Sequence, residues 1–274
     1  MTEGALDDDG FVRLSEKITR ERGFGCASYK EKCLRRRIAV RMRARGVHTY
    51  ADYSRILDDD AAEYERLLDA LTINVTKLFR NWAVYEAVAE RVVPALWSES
   101  THPIHVWSAG CSSGEEPYSL AILFHRYAAL QRQLADIERV HVLGTDIDRA
   151  SLAAAERGQF NESAFDETPA DLRSHYFSAK APFTVAPAVR STVHFQRLDL
   201  LDQWPSQPGG YQLLACRNVL IYFDRDTQER LLARFHGALA PGGFLVLGKV
   251  ETLLGPVRSQ FAAVDARERI FRRV

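Results

Sequence analysis

Ile104-His105-Val106-Trp107-Ser108-Ala109-Gly110-Cys111-Ser112-Ser113-Gly114-Glu115-Glu116-Pro117-Tyr118 is the stretch on which the fold turns. A short apolar run enters a loop with two glycines, and residues 118–134 continue as a long apolar helix. Buried strand, tight turn and helix in that order form the opening unit of a parallel α/β sheet. Gly110 and Gly114 permit positive φ and close backbone approach. Their spacing matches neither the dinucleotide fingerprint G-x-G-x-x-G nor a phosphate loop with Gly-Lys-Ser/Thr. Glu115 and Glu116 at the helix start would repel a pyrophosphate and suit a sulfonium or ammonium cation.

Downstream the rhythm repeats. Residues 140–143 form a second buried strand ending at Gly144-Thr145-Asp146. An acidic side chain there can accept hydrogen bonds from both hydroxyls of a ribose. Helix capping is the other use of such an Asp, and Asp148 is placed to cap the helix at 151–157. Residues 211–216 read as a strand, 225–239 as a helix and 244–248 as a strand after the turn Pro241-Gly242-Gly243. Residues 261–264 and 269–274 look like a closing antiparallel pair. A ligand should lie at the carboxyl ends of such strands. Residues 177–197, with Pro182, Pro187 and several β-branched residues, break the rhythm and read as a small β insertion or an irregular surface loop.

Upstream, residues up to about 73 read as helical. Phe11, Leu14 and Ile18 recur at helical spacing, as do Leu34, Ile38 and Met42 in a helix at 29–45 that Gly46 ends. Two shorter amphipathic helices follow at 50–57 and 64–71. Lys30, Lys32, Arg35, Arg36, Arg37, Arg41, Arg43 and Arg45 crowd the second helix against Glu31 alone. In a chain with 36 Lys plus Arg and 36 Asp plus Glu, that local excess points to an acidic partner surface. Nucleic acid is the rival partner, but no interleaved stacking aromatics support it.

The 46% of hydrophobic residues in 274 supply a sizeable core and exclude wholesale disorder. Cys26, Cys33, Cys111 and Cys216 form no CxxC pair, so a reducing cytoplasm is expected. Residues 1–10 are acidic without an apolar run, so no signal peptide is expected. No run nears the ~18 apolar residues of a membrane span, so direct membrane insertion is not expected. His102 and His105 flank Pro103 with no further ligand suitably spaced, so no metal site is expected.

Four motifs in register decide the family: Asn74-Val75-Thr76-Lys77-Leu78-Phe79-Arg80, the run from Trp107 to Ser119, Gly144-Thr145-Asp146-Ile147-Asp148, and Cys216-Arg217-Asn218-Val219-Leu220-Ile221-Tyr222-Phe223-Asp224. Together they make the chain, over nearly its whole length, similar to the CheR-type chemoreceptor glutamate methyltransferases. The resemblance implies a small all-helical N-terminal domain at 1–73, an interdomain linker at 74–94, and a Rossmann-like class I methyltransferase domain at 95–274 with the β insertion at about 177–197. It implies S-adenosylmethionine as cofactor and methyl transfer to glutamates on helical chemoreceptor cytoplasmic domains. The alternative is a noncatalytic adenosylmethionine-binding scaffold or sensor.

By matching motifs, Asn74, Thr76 and Arg80 would line the cofactor, Ala109 and Glu115 its methionine end, and Asp146 its ribose. Asp199 and Leu200 would lie near the adenine, Arg217 and Asn218 near the methionine moiety, and Tyr222 beside the transferred methyl. Arg80 and Tyr222 would be the catalytic pair. Three departures stand out: Leu78 for an aromatic, Asp199 for Asn, and Gly248-Lys249-Val250-Glu251 for Gly-His-Ser-Glu. The insertion lacks the glycine-bearing loop associated with docking a receptor's C-terminal tether, so no tether docking is expected.

Overall fold

The apolar run at 104–109 is β1 (Ile104–Ala109), buried at every position except His105. Such two-sided burial is the mark of a strand covered by helices on both faces. The computed structural model describes residues 3–72, 76–99, 103–202, 204–207 and 209–274. It divides into two units: Met1–Ile73 with Tyr222–Thr227, and Asn74–Ile221 with Gln228–Val274.

The smaller unit is built on α1 (Glu3–Arg22), α2 (Glu31–Ala44), α3 (Tyr50–Asp59) and α4 (Ala61–Leu71). The helical periodicity of the sequence becomes its core: Leu14, Ile18, Leu34, Ile38 and Met42 are all buried. Thr49 and Asp60 cap α3 and α4 by accepting the N–H of Asp52 and Glu63. The distant segment Tyr222–Thr227 completes the unit. Tyr29 and Phe223 form an antiparallel bridge with ring centroids 4.8 Å apart. The Lys30 N–H donates to the Tyr222 carbonyl at 2.8 Å, and the Asp224 N–H to Ser28 at 3.0 Å.

In the larger unit, β2 (Val140–Asp146), β5 (Val193–Arg197), β6 (Tyr211–Cys216), β7 (Leu239–Leu247), β8 (Phe261–Asp265) and β9 (Ile270–Arg273) join β1 in one sheet of order β5-β2-β1-β6-β7-β9-β8. The first five in that order run parallel, and β9 is antiparallel to both its neighbours. Register pairs Ala109 with Thr145, Asp146 with Arg197 and Cys216 with Leu247, so their carboxyl ends share one edge. The chain order reverses between β1 and β6, which sets the ligand crevice there. After β1 comes α7 (Glu115–Leu130), buried along most of its length. The helix α8 (Arg149–Arg157) follows β2, capped by Asp148 as the sequence predicts.

Two stretches differ in detail from the sequence reading. Residues 82–99 are a continuous helical run: α5 (Trp82–Ala87), a π-helical turn (Val88–Val92) and α6 (Val93–Glu99). Pro94 suggests a break, but the widened turn, with the Val93 N–H on the Val88 carbonyl, carries the chain past it. Residues 177–197 are only partly an insertion. The ribbon pairs β3 (Gln159–Phe160) with β4 (Phe183–Thr184) beside α9 (Ala170–Tyr176). After α10 (Pro187–Arg190), residues 193–197 pair parallel with β2 as the edge strand β5.

Candidate functional site

Loops leaving the parallel strands at the carboxyl edge bring the sequence-predicted residues of the larger unit together. The Gly110 and Cys111 N–H groups both donate to the Thr145 carbonyl, at 2.8 and 2.9 Å, which folds the first loop against the end of β2. Gly110 has φ +77°, and a Cβ there would stand 2.5 Å from Cγ2 of Val219. The loop after β6 therefore packs directly on the loop after β1.

Asp146 ends β2 with only 9% exposure. One carboxylate oxygen accepts the Ser112 N–H at 2.8 Å, and the other the Asp148 N–H at 3.0 Å. Burial pushes its pKa up, and those two donors oppose the shift. Each oxygen keeps a second lone pair for a ligand. Glu115 opens α7, and its carboxylate takes the Ser113 hydroxyl at 2.8–2.9 Å. Burial raises its pKa as well. Beyond β5, the Leu198 N–H reaches the Asp146 carbonyl at 2.9 Å, Asp199 accepts the Leu201 N–H at 2.8 Å, and Leu200 is buried.

Arg217 is turned inward. Its side chain is 3% exposed and donates to the Tyr85 hydroxyl at 3.1 Å, to Glu116 at 3.4 Å and to the Arg80 carbonyl at 2.7 Å. Glu116, held also by the Ser108 hydroxyl, is the counter-charge. This network and the Phe79 N–H on Ser119 at 2.9 Å fix the loop that carries Thr76 and Arg80, both half-buried. Asn74 lies outside the described residues. Tyr222 belongs to the helical unit, where the Arg37 guanidinium lies 4.8 Å over its ring.

Six non-glycine residues have positive φ among the described residues, and four of them, Phe79, Asn81, Ser112 and Asn218, lie in these loops. Backbone strain concentrated this way marks a site the surroundings hold in place. Sequence reasoning passed over Tyr85 and Ser108, which look like ordinary core and strand residues, and assigned Glu251 no role. Glu251 is 4% exposed and accepts four backbone N–H groups. Among the described residues no group of His, Cys, Asp and Glu could hold a metal, and no helix is long and apolar enough to cross a membrane.

These residues fit S-adenosylmethionine. The hydroxyl of Ser112 and the side-chain oxygen of Asn218 are buried without a hydrogen-bond partner in the chain, and buried polar atoms rarely stay so. With the carboxylates of Asp146 and Glu115 they offer acceptors to a ligand bearing hydroxyls and cationic groups.

Residues 9–72 match the family model for the CheR methyltransferase all-alpha domain, and residues 74–270 that for the CheR methyltransferase SAM binding domain. A chemotaxis protein methyltransferase of Listeria monocytogenes is 32% identical over 93% of this chain and 94% of its own length. Chemotaxis protein methyltransferase 1 of Pseudomonas aeruginosa is 35% identical over 84% and 85%. A solved TehB-like SAM-dependent methyltransferase from Corynebacterium glutamicum is 15% identical, covering 70% of this chain and 96% of its own, with a TM-score of 0.38. With both domain models matched in order and such relatives aligned along most of their lengths, the chain belongs to the CheR methyltransferase family and uses S-adenosylmethionine as its cofactor.

Proposed function

We propose that this methyltransferase esterifies glutamate side chains of a chemoreceptor-like signalling protein in the cytoplasm. One observation carries the reading: four carboxylates at the carboxyl edge already accept hydrogen bonds from the chain's own groups, and the two with acceptor capacity to spare, Asp146 and Glu115, are taken by the cofactor. Asp146 holds two loops, Glu116 holds Arg217 and Ser108, Glu115 takes Ser113, and Glu251 takes four N–H groups. None stands ready as a general base for a hydroxyl or amine acceptor. A glutamate acceptor, with an ordinary pKa near ~4.3, is ionised at neutral pH and needs none. The bound cofactor supplies a methyl on a cationic sulfur that departs as a neutral thioether.

The chain's task is then alignment, which alone contributes several kcal/mol to such displacements. Asp146 accepts the ribose hydroxyls, Glu115 and Asn218 face the methionine end with Ala109, and Asp199 and Leu200 border the adenine. Thr76 lines the same pocket, and the expected role of Asn74 falls outside the described residues. Arg80 orients the acceptor carboxylate through its planar fork, and Tyr222 is the second residue proposed for catalysis. Arg217 acts by holding the Arg80 backbone. The names of the relatives, chemotaxis protein methyltransferases, support a receptor as the acceptor.

The partner surface is narrower than the sequence suggests. Arg35 pairs with Glu31 and Asp8, Arg41 with the fully buried Glu63, and Arg45 with Asp60. Arg37 is buried and donates to the Leu71 carbonyl. Lys32, Arg36 and Arg43 are exposed on one stripe of α2 around Val40, itself 48% exposed. An acidic helix with an apolar stripe complements it.

The test is incubation with methyl-labelled S-adenosylmethionine and receptor cytoplasmic fragments, followed by alkaline hydrolysis. The expected label is volatile methanol from receptor glutamates. Base-stable label, or none on any fragment, would overturn the assignment.

A further inference from the structure

Beyond β7 the chain turns through Gly248-Lys249-Val250-Glu251, with the Glu251 N–H returning to the Gly248 carbonyl at 2.9 Å. Lys249 and Val250 point into solvent, whereas Glu251 folds back to 4% exposure. One of its oxygens accepts the N–H of Gly248 at 2.6 Å and of Asn218 at 3.0 Å. The other accepts Val219 at 2.9 Å and Ile221 at 3.3 Å. A carboxylate offers about four acceptor positions, so all are filled, three of them from the loop after β6.

The β6–β7 ladder ends at Cys216 and Leu247, and Asn218 sits at φ +61°. Successive N–H groups converging on one point make an anion-binding concavity, and here the anion is the chain's own. A Cβ on Gly248 would stand 2.6 Å from the Glu251 carboxylate and 2.7 Å from the Asn218 nitrogen, so glycine is needed to admit the carboxylate.

We propose that Glu251 is a positioning residue for the cofactor: by gathering these N–H groups it sets the partnerless Asn218 side-chain oxygen and presses Val219 onto Gly110, shaping one wall of the pocket. The inference rests on reading Asn218 and the Gly110 loop as cofactor contacts, and requires nothing of the methyl acceptor. Neutral Glu251→Gln keeps the volume but turns an NH2 group toward N–H donors. Gly248→Ala displaces the same carboxylate from the opposite side.

Binding of S-adenosylhomocysteine by calorimetry and amide hydrogen exchange are measured on the full chain, both variants and Asn218→Ala. We expect faster exchange at 218, 219 and 221, unchanged protection in β1 and β2, and a Kd raised tenfold or more in both variants. A Kd raised less than threefold in the variants that fold, with or without faster exchange, overturns the proposal, since a merely structural clamp would move exchange alone. If Asn218→Ala binds like the parent, the reading of Asn218 fails by itself. Weakened binding in Glu251→Gln then still supports positioning, through Val219, and unchanged binding still overturns it.

Discussion

Glu115 shows at the scale of one residue how a site works against its own stability. Its carboxyl is buried at the head of α7 and its pKa is raised by that burial, which the Ser113 hydroxyl and a backbone N–H only partly oppose. A group raised on folding contributes its full stability below its unfolded value, near ~4.3, and loses it as pH rises through the folded value. Glu115→Gln removes that loss. The melting temperature of the variant relative to the parent should therefore climb from pH 4.5 to pH 7.5, by roughly 2–4 °C for each kcal/mol recovered. Affinity for S-adenosylmethionine should fall about tenfold in the same protein if Glu115 faces its cationic end. Paired melts and calorimetry check both; a difference that shrinks with pH contradicts the direction of the shift. The place of Asp146 at the end of a buried strand was legible in the sequence. What the sequence hides is that Ser112 and Asp148 clamp it, because those donors are backbone groups whose aim depends on the fold.

Among the elements, α2 divides its charges between two tasks. Arg41 meets Glu63, which is fully buried and also takes the Tyr53 hydroxyl at 2.8 Å. Arg41→Ala should cost about 3 kcal/mol, the scale for leaving a buried charge without its partner. Charge reversal at Lys32, Arg36 and Arg43 should leave melting temperature and cofactor affinity within error. It should raise KM for the acceptor protein about tenfold at low salt and less at high salt, since exposed charges are screened. Steady-state kinetics at two ionic strengths test this, and a salt-independent defect would make the stripe structural. The sequence showed the basic excess without showing this division, because Glu63 lies 22 positions beyond Arg41 and only tertiary packing pairs them. The continuous helix at 82–99 was obscured for a similar reason: the π-helical turn that accommodates Pro94 leaves no compositional signature.

At the scale of the molecule, the division into two units follows packing more closely than chain order. The segment Tyr222–Thr227 belongs with residues far before it, through the Tyr29–Phe223 ring contact and backbone bonds to Ser28 and Lys30. The sequence motif ending at Asp224 reads as one continuous loop, so this allegiance was not legible. Tyr29→Ala removes a ring stacked on Phe24 at 4.7 Å and tilted against Phe223 at 4.8 Å. It should loosen the segment and lower single-turnover methyl transfer about tenfold, much as Tyr222→Phe would, while S-adenosylhomocysteine affinity stays near the parent value. Equal losses of rate and affinity would tie the segment to the cofactor pocket instead.

The same segment bears on how this chain can be recombined with its relatives. The backbone passes from one unit to the other three times, after residues 73, 221 and 227. A graft exchanging only the first 73 residues would leave Phe223 and Asp224 facing a foreign Tyr29 and Ser28 region. Domain shuffling at the apparent boundary is therefore penalised, and a working hybrid must carry six residues from deep within the second half alongside the first.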